Sequence, residues 1–408
     1  MDMNKEVESY IFELLEGISE ALEFQKRTGN TRLAGDIIES RKCIERSLYA
    51  VVPYPIMDRI DSENMQNEDW LLAMYRIMGE LKQPFCVQNR YDREFLDLLH
   101  YLWDNKKEKL VENMKNRLGQ IREIDSHAYD GFLAYFKRFP LWGTIDPKEE
   151  DYQTLELRAD VLKQKSYEFL WLYQRLEDYL SKYTLYAILK NWAILDFYDI
   201  AKVNSIFPDY YEPDIFADNK EDVFVDVGAY NGDSILQYIQ MYGTEYKRIY
   251  AYEISKDSCA ELEKNLSNYH DIVIRQKGAG ASGGVFMYLN ETEDTTANHL
   301  EKQQTNGEAV EVVSLDEDIK EPVTFVKMDI EGAEQDAILG MRKIIERDHP
   351  KLAICTYHGY EDIWKIPFII DSICPQYKFY LRHYGGNLIP TEFVLLCKYD
   401  VCKYDVKK

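Results

Sequence analysis

Beyond residue 216 short apolar runs alternate with helix-length segments, and that rhythm constrains the fold more than any other feature of the chain. The runs "VFVDV" (223–227), "RIYAYE" (248–253), "IVIRQ" (272–276), "VTFVKMD" (323–329) and "KLAICTY" (351–357) are rich in β-branched and aromatic residues. Such runs predict strands buried on both faces. The segments 234–242, 256–268, 333–347 and 361–373 suit crossover helices. Strand and helix alternating in this way predict an open α/β fold on a parallel sheet. Near the end, "YKFYLRHY" and "EFVLLCK" flank the turn-forming "GGN" (385–387), which predicts an antiparallel pair closing the sheet.

Before residue 205 the period is different. Val7, Ile11, Leu14, Ile18 and Leu22 recur at helical spacing, as do Ile37, Ile44, Leu48 and Val51. Trp70, Met74, Ile77 and Leu81 follow Asn67, a candidate N-cap, and Phe169, Leu172, Leu176 and Leu180 keep the same step. These stripes predict helices that each bury one face. Pro and Gly in "VVPYPIMD" (51–58) and "FPLWGTIDPKEED" (139–151) break the pattern into helix hairpins. The expected organisation is an all-α region over 1–205, divisible near 140–150, and an α/β domain over 206–408, with "SIFPDYYEPDIF" (205–216) at the boundary.

Charge narrows the partners. With 49 basic and 72 acidic residues the chain carries a formal charge of -23, which repels nucleic acid and anionic membrane surfaces. The acidic start "MDMNKEVESYIFELL" lacks the pattern of a secretory signal, and "YTLYAILKNWAILDFY" (183–198) is too short and too interrupted to span a bilayer. A cytoplasmic location is expected. The seven cysteines (43, 86, 259, 355, 374, 397 and 402) form no metal or disulfide pattern and read as free thiols.

The turn after the first strand, "VFVDVGAYNGDS" (223–234), carries the chemistry. Gly228 and Gly232 let a ligand approach the backbone closely. A dinucleotide fingerprint would need glycines where Tyr230 and Asp233 stand, and no GK[ST] follows for a phosphate loop. An acid at the helix N-terminus disfavours a pyrophosphate and suits a cofactor with a positive centre, such as S-adenosylmethionine. Glu253 ends the second strand, where open α/β folds place the carboxylate that binds a ribose diol. Small residues in "KGAGASGG" (277–284) leave room for an adenine, or form a turn into the strand-like "VFMYL".

Taken in order, "VFVDVGAYNGDS", "YAYEIS", "KGAGAS" and "FVKMDIEGAE" resemble the FkbM-type methyltransferases, over roughly residues 217–400. The resemblance implies a class I methyltransferase sheet of seven strands with one antiparallel, S-adenosylmethionine as cofactor, and methylation of a hydroxyl on a sugar, glycoconjugate or natural-product precursor. It implies cofactor contacts at Asp226, Gly228, Gly232, Glu253 and Ala279, and the contact set is completed by Ala229, Tyr230, Asn231, Asp233, Ser234, Ile254 and Asp329.

An alcohol acceptor must lose a proton, so a base should stand near it. His358, after the fifth strand, is the candidate base, with Glu361 or Asp362 available to orient it. Asp329 and Glu331, closing the fourth strand, are candidate catalytic carboxylates unless they cap the helix that follows. His383 is a weaker candidate. No metal is assigned, although Asp329, Glu331 and His358 could in principle hold Mg²⁺ or Mn²⁺. The expected partners are a small-molecule or glycan acceptor and, through the helical region, a second copy of the chain. The competing readings are a nicotinamide-dependent oxidoreductase and a non-catalytic adaptor.

Overall fold

The computed structural model describes residues 87–217, 220–290, 299–301, 308–386 and 388–400. The helical stripes predicted before Leu81, the cap at Asn67, the break at 51–58 and Cys43, Cys86 and Cys402 lie outside these residues. The chain divides into two compact units: Met1–Lys82 with Lys163–Tyr167, and Gln83–Leu162 with Glu168–Lys408. The second contains nearly everything described below.

Among the described residues six α-helices precede the sheet: α1 (Arg90–Asp104), α2 (Lys107–Ile124), α3 (Ser126–Arg138), α4 (Gln153–Gln164), α5 (Ser166–Arg175) and α6 (Tyr179–Ile194). Short polar side chains set the starts of α1, α3 and α6. Asn89 accepts from the amides of Tyr91 and Asp92, Asp125 from Ala128, and Asp178 from Ser181. The predicted break at 139–151 separates α3 from α4. The stripe from Phe169 to Leu180 is split between two helices, and Leu180 is exposed because α6 turns it outward. No helix among the described residues is long and apolar enough to cross a membrane.

The main sheet uses β1 (Val223–Val227), β2 (Arg248–Glu253), β3 (Ile272–Gln276), β8 (Phe325–Met328), β9 (Lys351–Cys355), β10 (Tyr377–His383) and β11 (Phe393–Tyr399). Their order is β10-β11-β9-β8-β1-β2-β3. All neighbours are parallel except those of β11, which runs against both β9 and β10. One antiparallel strand in seven is the arrangement the resemblance implied. A second sheet, in the order β4-β7-β5-β6, is built from β4 (Gly278–Ala279), β5 (Val285–Asn290), β6 (His299–Glu301) and β7 (Ala309–Val313).

Burial follows position in the sheet. Strands β1 and β8 are buried throughout, as predicted, whereas β3, at one edge of the sheet, is half-exposed. Helices α7 (Asp233–Tyr242), α8 (Lys256–Asn265) and α12 (Asp362–Ile373) match three of the predicted crossovers. A one-turn helix, α9 (Leu315–Asp318), lies between β7 and β8. The predicted helix 333–347 is instead two, α10 (Glu334–Leu339) and α11 (Arg342–Asp348). The break falls at Gly340, where a Cβ would stand 1.9 Å from the carbonyl oxygen of Gly280. Under the sheet, Tyr211, Phe224, Tyr238 and Phe325 form an aromatic core with ring centroids 4.7–6.5 Å apart. The four described cysteines, Cys259, Cys355, Cys374 and Cys397, are free and buried.

Helix α6 is joined to the far edge of the sheet by a polar contact that spans the sequence. Arg382 Nη2 donates to Asp178 Oδ2 at 2.7 Å and its Nη1 to Ser181 Oγ at 2.8 Å, while Ser181 Oγ also accepts from the Leu381 amide at 2.9 Å. Arg382 is buried, so this carboxylate partner keeps a charge inside that would otherwise be costly.

Candidate functional site

The turn after β1 is held from three sides. Gly228, with φ +83°, sits so close to β8 that a Cβ would lie 1.8 Å from the Asp329 carbonyl oxygen. Only glycine fits there. Tyr252 O accepts from the amides of both Gly228 and Ala229. Gly232, with φ +86°, opens α7 as its N-cap without a side-chain bond. The chain between them, Tyr230 and Asn231, is half-buried, Asp233 is exposed, and Asn265 Nδ2 donates to Asn231 O at 2.9 Å.

Glu253 ends β2 with its carboxylate under this turn. Its Oε2 accepts from the Tyr230 amide and its Oε1 from the Ser255 amide, each at 2.8 Å. Burial pushes the carboxyl up, and the amides of Ser255 and Tyr230 pull it back. Ser255 caps α8, as its own side chain accepts from Ser258, and Ile254 between them is half-buried.

Asp226 lies beneath the turn and is fully buried. It accepts from Ser234 Oγ at 2.5 Å and pairs with Lys327 Nζ at 3.1 Å, and the same ammonium donates to Gly228 O at 2.8 Å. Asp226 and Ser234 therefore brace the turn from below. Burial would lower the Lys327 ammonium, but Asp226 and then Asp329 outweigh it and keep it charged. Ala279 is buried in β4 and pairs with Val313, so its backbone belongs to the second sheet.

The ends of β8 and β9 bring Asp329, Glu331 and His358 together. His358 Nε2 stands 3.3 Å from Asp329 Oδ1 and 3.6 Å from Glu331 Oε1. The ring is buried, whereas the carboxylate side chains retain 21% and 24% of their exposure. They are the open face of the cluster. On the other side of the ring, Nδ1 is 2.8 Å from Glu334 Oε1. Glu334, and neither Glu361 nor Asp362, is the group that meets His358 there. Asp362 accepts instead from Gln335 Nε2 at 2.6 Å. Glu334 also accepts from the amides of Ile330 at 2.8 Å and Gly332 at 3.0 Å, bridging a turn in which Glu331 and Gly332 have φ of +55° and +97°. Neither Asp329 nor Glu331 caps α10.

Charge in this cluster is tightly coupled. Burial alone would push the His358 imidazole down; Glu334 first, then Glu331 and Asp329, outweigh it and hold the ring well above its ordinary range. Burial works to raise Asp329, but His358 and Lys327 keep it below the usual carboxylate range, helped by Tyr210, whose hydroxyl donates to Oδ2 at 2.9 Å. Two further acids share the field. Burial and then Asp329 push Glu392 up to about 7 and Asp209 up to about 6. These two carboxyls carry no signal in the sequence, and Glu334, which follows Asp329 and Glu331 there, shows no role of its own, because only the fold brings them to this cluster. His383 is fully buried on β10, and its ring makes no hydrogen bond and is outside this cluster.

Residues 226–385 match the sequence model of the Methyltransferase FkbM domain. Over these residues the chain carries an FkbM methyltransferase domain. No curated relative matches the chain. Among solved structures, methyltransferase FkbM from Methylobacillus flagellatus KT is 24% identical, with a TM-score of 0.49, and the match covers 59% of this chain and 62% of that one. The shared part is thus less than two thirds of that protein's length. A putative methyltransferase from Streptococcus mutans, solved with S-adenosylhomocysteine, is 14% identical over 46% of this chain and 92% of its own, with a TM-score of 0.30. Fibrillarin from Aeropyrum pernix, solved with S-adenosylmethionine, is 12% identical over 44% and 67%, with a TM-score of 0.29. The FkbM match begins at Asp226 and takes in the glycine turn, Glu253 and the Asp329–Glu331–His358 cluster.

Proposed function

We propose that the FkbM domain methylates a hydroxyl on a sugar, glycoconjugate or natural-product precursor, with S-adenosylmethionine as the methyl donor. The observation that carries this reading is the junction at Gly228, where a Cβ would stand 1.8 Å from Asp329 O. The cofactor turn and the carboxylate–histidine cluster therefore adjoin, as a donor and an acceptor site must.

The residues present suit this cofactor. Asp233 is exposed on the turn and Glu253 lies under it, while Lys327, the nearby cation, is directed down to Asp226 and Gly228 O. Such a turn favours a positive centre and gives a pyrophosphate no counter-charge. Glu253, whose carboxylate lies under the turn, would hold the ribose hydroxyls, and the backbone from Gly228 to Gly232 would lie against the amino-acid end. When bound, S-adenosylmethionine supplies an activated methyl group and departs as S-adenosylhomocysteine.

On the acceptor side, Asp329 and Glu331 face outward and take the hydroxyl's hydrogen bond. His358, buried among Glu334, Asp329 and Glu331, serves to position the two outer carboxylates, and Glu331 accepts the proton the acceptor loses. The test is incubation of the full chain with radiolabelled S-adenosylmethionine and a panel of nucleotide sugars and glycans. The expected product carries an oxygen-linked methyl group. Cofactor binding with no turnover on any hydroxyl compound would favour an adaptor instead.

A further inference from the structure

The geometry points to a binding site for one divalent cation of the Mn²⁺ or Mg²⁺ class, formed by Asp329 Oδ1, Glu331 Oε1 and His358 Nε2. The three ligand atoms come from the ends of two neighbouring strands and lie within 4.8 Å of one another. Two ligands at right angles on a cation with bonds of ~2.1 Å stand ~3 Å apart. The observed 3.3 Å and 3.6 Å from Nε2 are close to that spacing.

An acidic cluster alone would not suffice. The independent observation is the imidazole itself. His358 is 3% exposed, yet neither ring nitrogen is aligned for a hydrogen bond on the carboxylates beside it, and Asp329 Oδ1, 3.3 Å from Nε2, is also buried without one. A histidine whose task was to bind a carboxylate would align its N–H on one oxygen at ~2.8 Å. Nε2 instead stands 3.3 Å and 3.6 Å from two oxygens of different carboxylates. Buried polar atoms left in that state cost free energy, and a cation bound with Glu331 would satisfy both at once.

The surroundings are those of a metal ligand set. Glu334 Oε1, 2.8 Å from His358 Nδ1, is the outer carboxylate that orients a metal-bound imidazole. Tyr210 fixes the other oxygen of Asp329 at 2.9 Å. Glu334 also holds the Ile330 and Gly332 amides and so sets the turn that presents Glu331. Two hard oxygens with one imidazole and no thiolate suit Mn²⁺ and Mg²⁺ rather than a soft metal. Three protein ligands leave open positions, and on the outward side of Asp329 and Glu331 an acceptor hydroxyl could occupy one. There the ion would orient and polarise the oxygen to be methylated. That use rests on the O-methylation reading; the binding of the ion does not.

The test is a titration of the full chain with Mn²⁺ alone, in which free ion is read from its electron paramagnetic resonance signal. Saturable one-to-one binding is expected, weakened at least ~10-fold by Asp329→Asn and by Glu331→Gln and ~10–100-fold by Glu334→Gln. Glu331 is on the open side of the cluster, so Glu331→Gln should keep the fold, which a thermal melt verifies. His270→Asn, on the exposed His270–Asp271 pair, should leave the binding unchanged. Binding that no substitution in the cluster weakens, or none that saturates, overturns the site and assigns any uptake to the acidic surface. Saturable Mn²⁺ binding without methyl transfer to any alcohol would overturn the O-methylation reading and leave the ion site standing. Methyl transfer without ion binding would do the reverse.

Discussion

The amide of Tyr230 donates to Glu253 Oε2 at 2.8 Å, and that bond makes the turn after β1 and the end of β2 one rigid piece. Glu253 holds a second amide, that of Ser255, so it braces the turns after β1 and after β2 together. Charge-assisted bonds of this kind contribute ~1.5–3 kcal/mol each. Glu253→Ala should therefore destabilise the domain by about 2–4 kcal/mol. Hydrogen exchange at the Tyr230 and Ser255 amides should quicken more than at the β1 amides. Glu253→Gln, which keeps one acceptor oxygen, should do less damage.

Asp226 and Lys327 form a fully buried ion pair at 3.1 Å. Removing one partner strands the other charge, at a cost of ~3–5 kcal/mol. Lys327→Met should show that loss in denaturant unfolding, and adding Asp226→Asn should recover most of it. Equal losses in the single and double variants would mean that the lysine acts through Gly228 O alone.

Gly228→Ala meets two penalties. A left-handed backbone costs a side-chain-bearing residue ~1–2 kcal/mol, and its Cβ would overlap the Asp329 carbonyl oxygen. The variant should melt well below the parent protein. A normal melting temperature would mean that the turn and β8 can part without loss.

Burial pushes His383 down to about 4. Above pH ~6.5 the ring is neutral in both folded and unfolded chains and adds no pH dependence. Between pH ~6.5 and ~4 the unfolded chain binds a proton that the folded one refuses, so stability falls with pH, by up to ~3 kcal/mol. Below that the difference is constant. Thermal melts across this range should record the fall, and His383→Leu should flatten it.

What the sequence revealed was whatever local composition controls. β-branched runs marked β1, β8 and β9 because a central strand is apolar on both faces, and the two glycines of the first turn announced its backbone. That β3 lies at an edge could not be foreseen, since that depends on strand order. Nor could the split between α10 and α11, because Gly340 breaks there to pass Gly280, sixty residues earlier in the chain. Asp329, Glu331 and His358 were recognised as strand-end residues; that Glu334 would turn back to bind the same histidine required the left-handed turn at Glu331 and Gly332. The Arg382–Asp178 contact, separated by 204 positions, left no local signal at all.

Calorimetry of the full chain with S-adenosylhomocysteine tests the central claim most directly. The account predicts one saturable site per chain, weakened ~10–100-fold by Glu253→Ala, the equivalent of losing hydrogen bonds worth ~1.5–3 kcal/mol. No saturable heat, or an affinity that Glu253→Ala leaves unchanged, would contradict it.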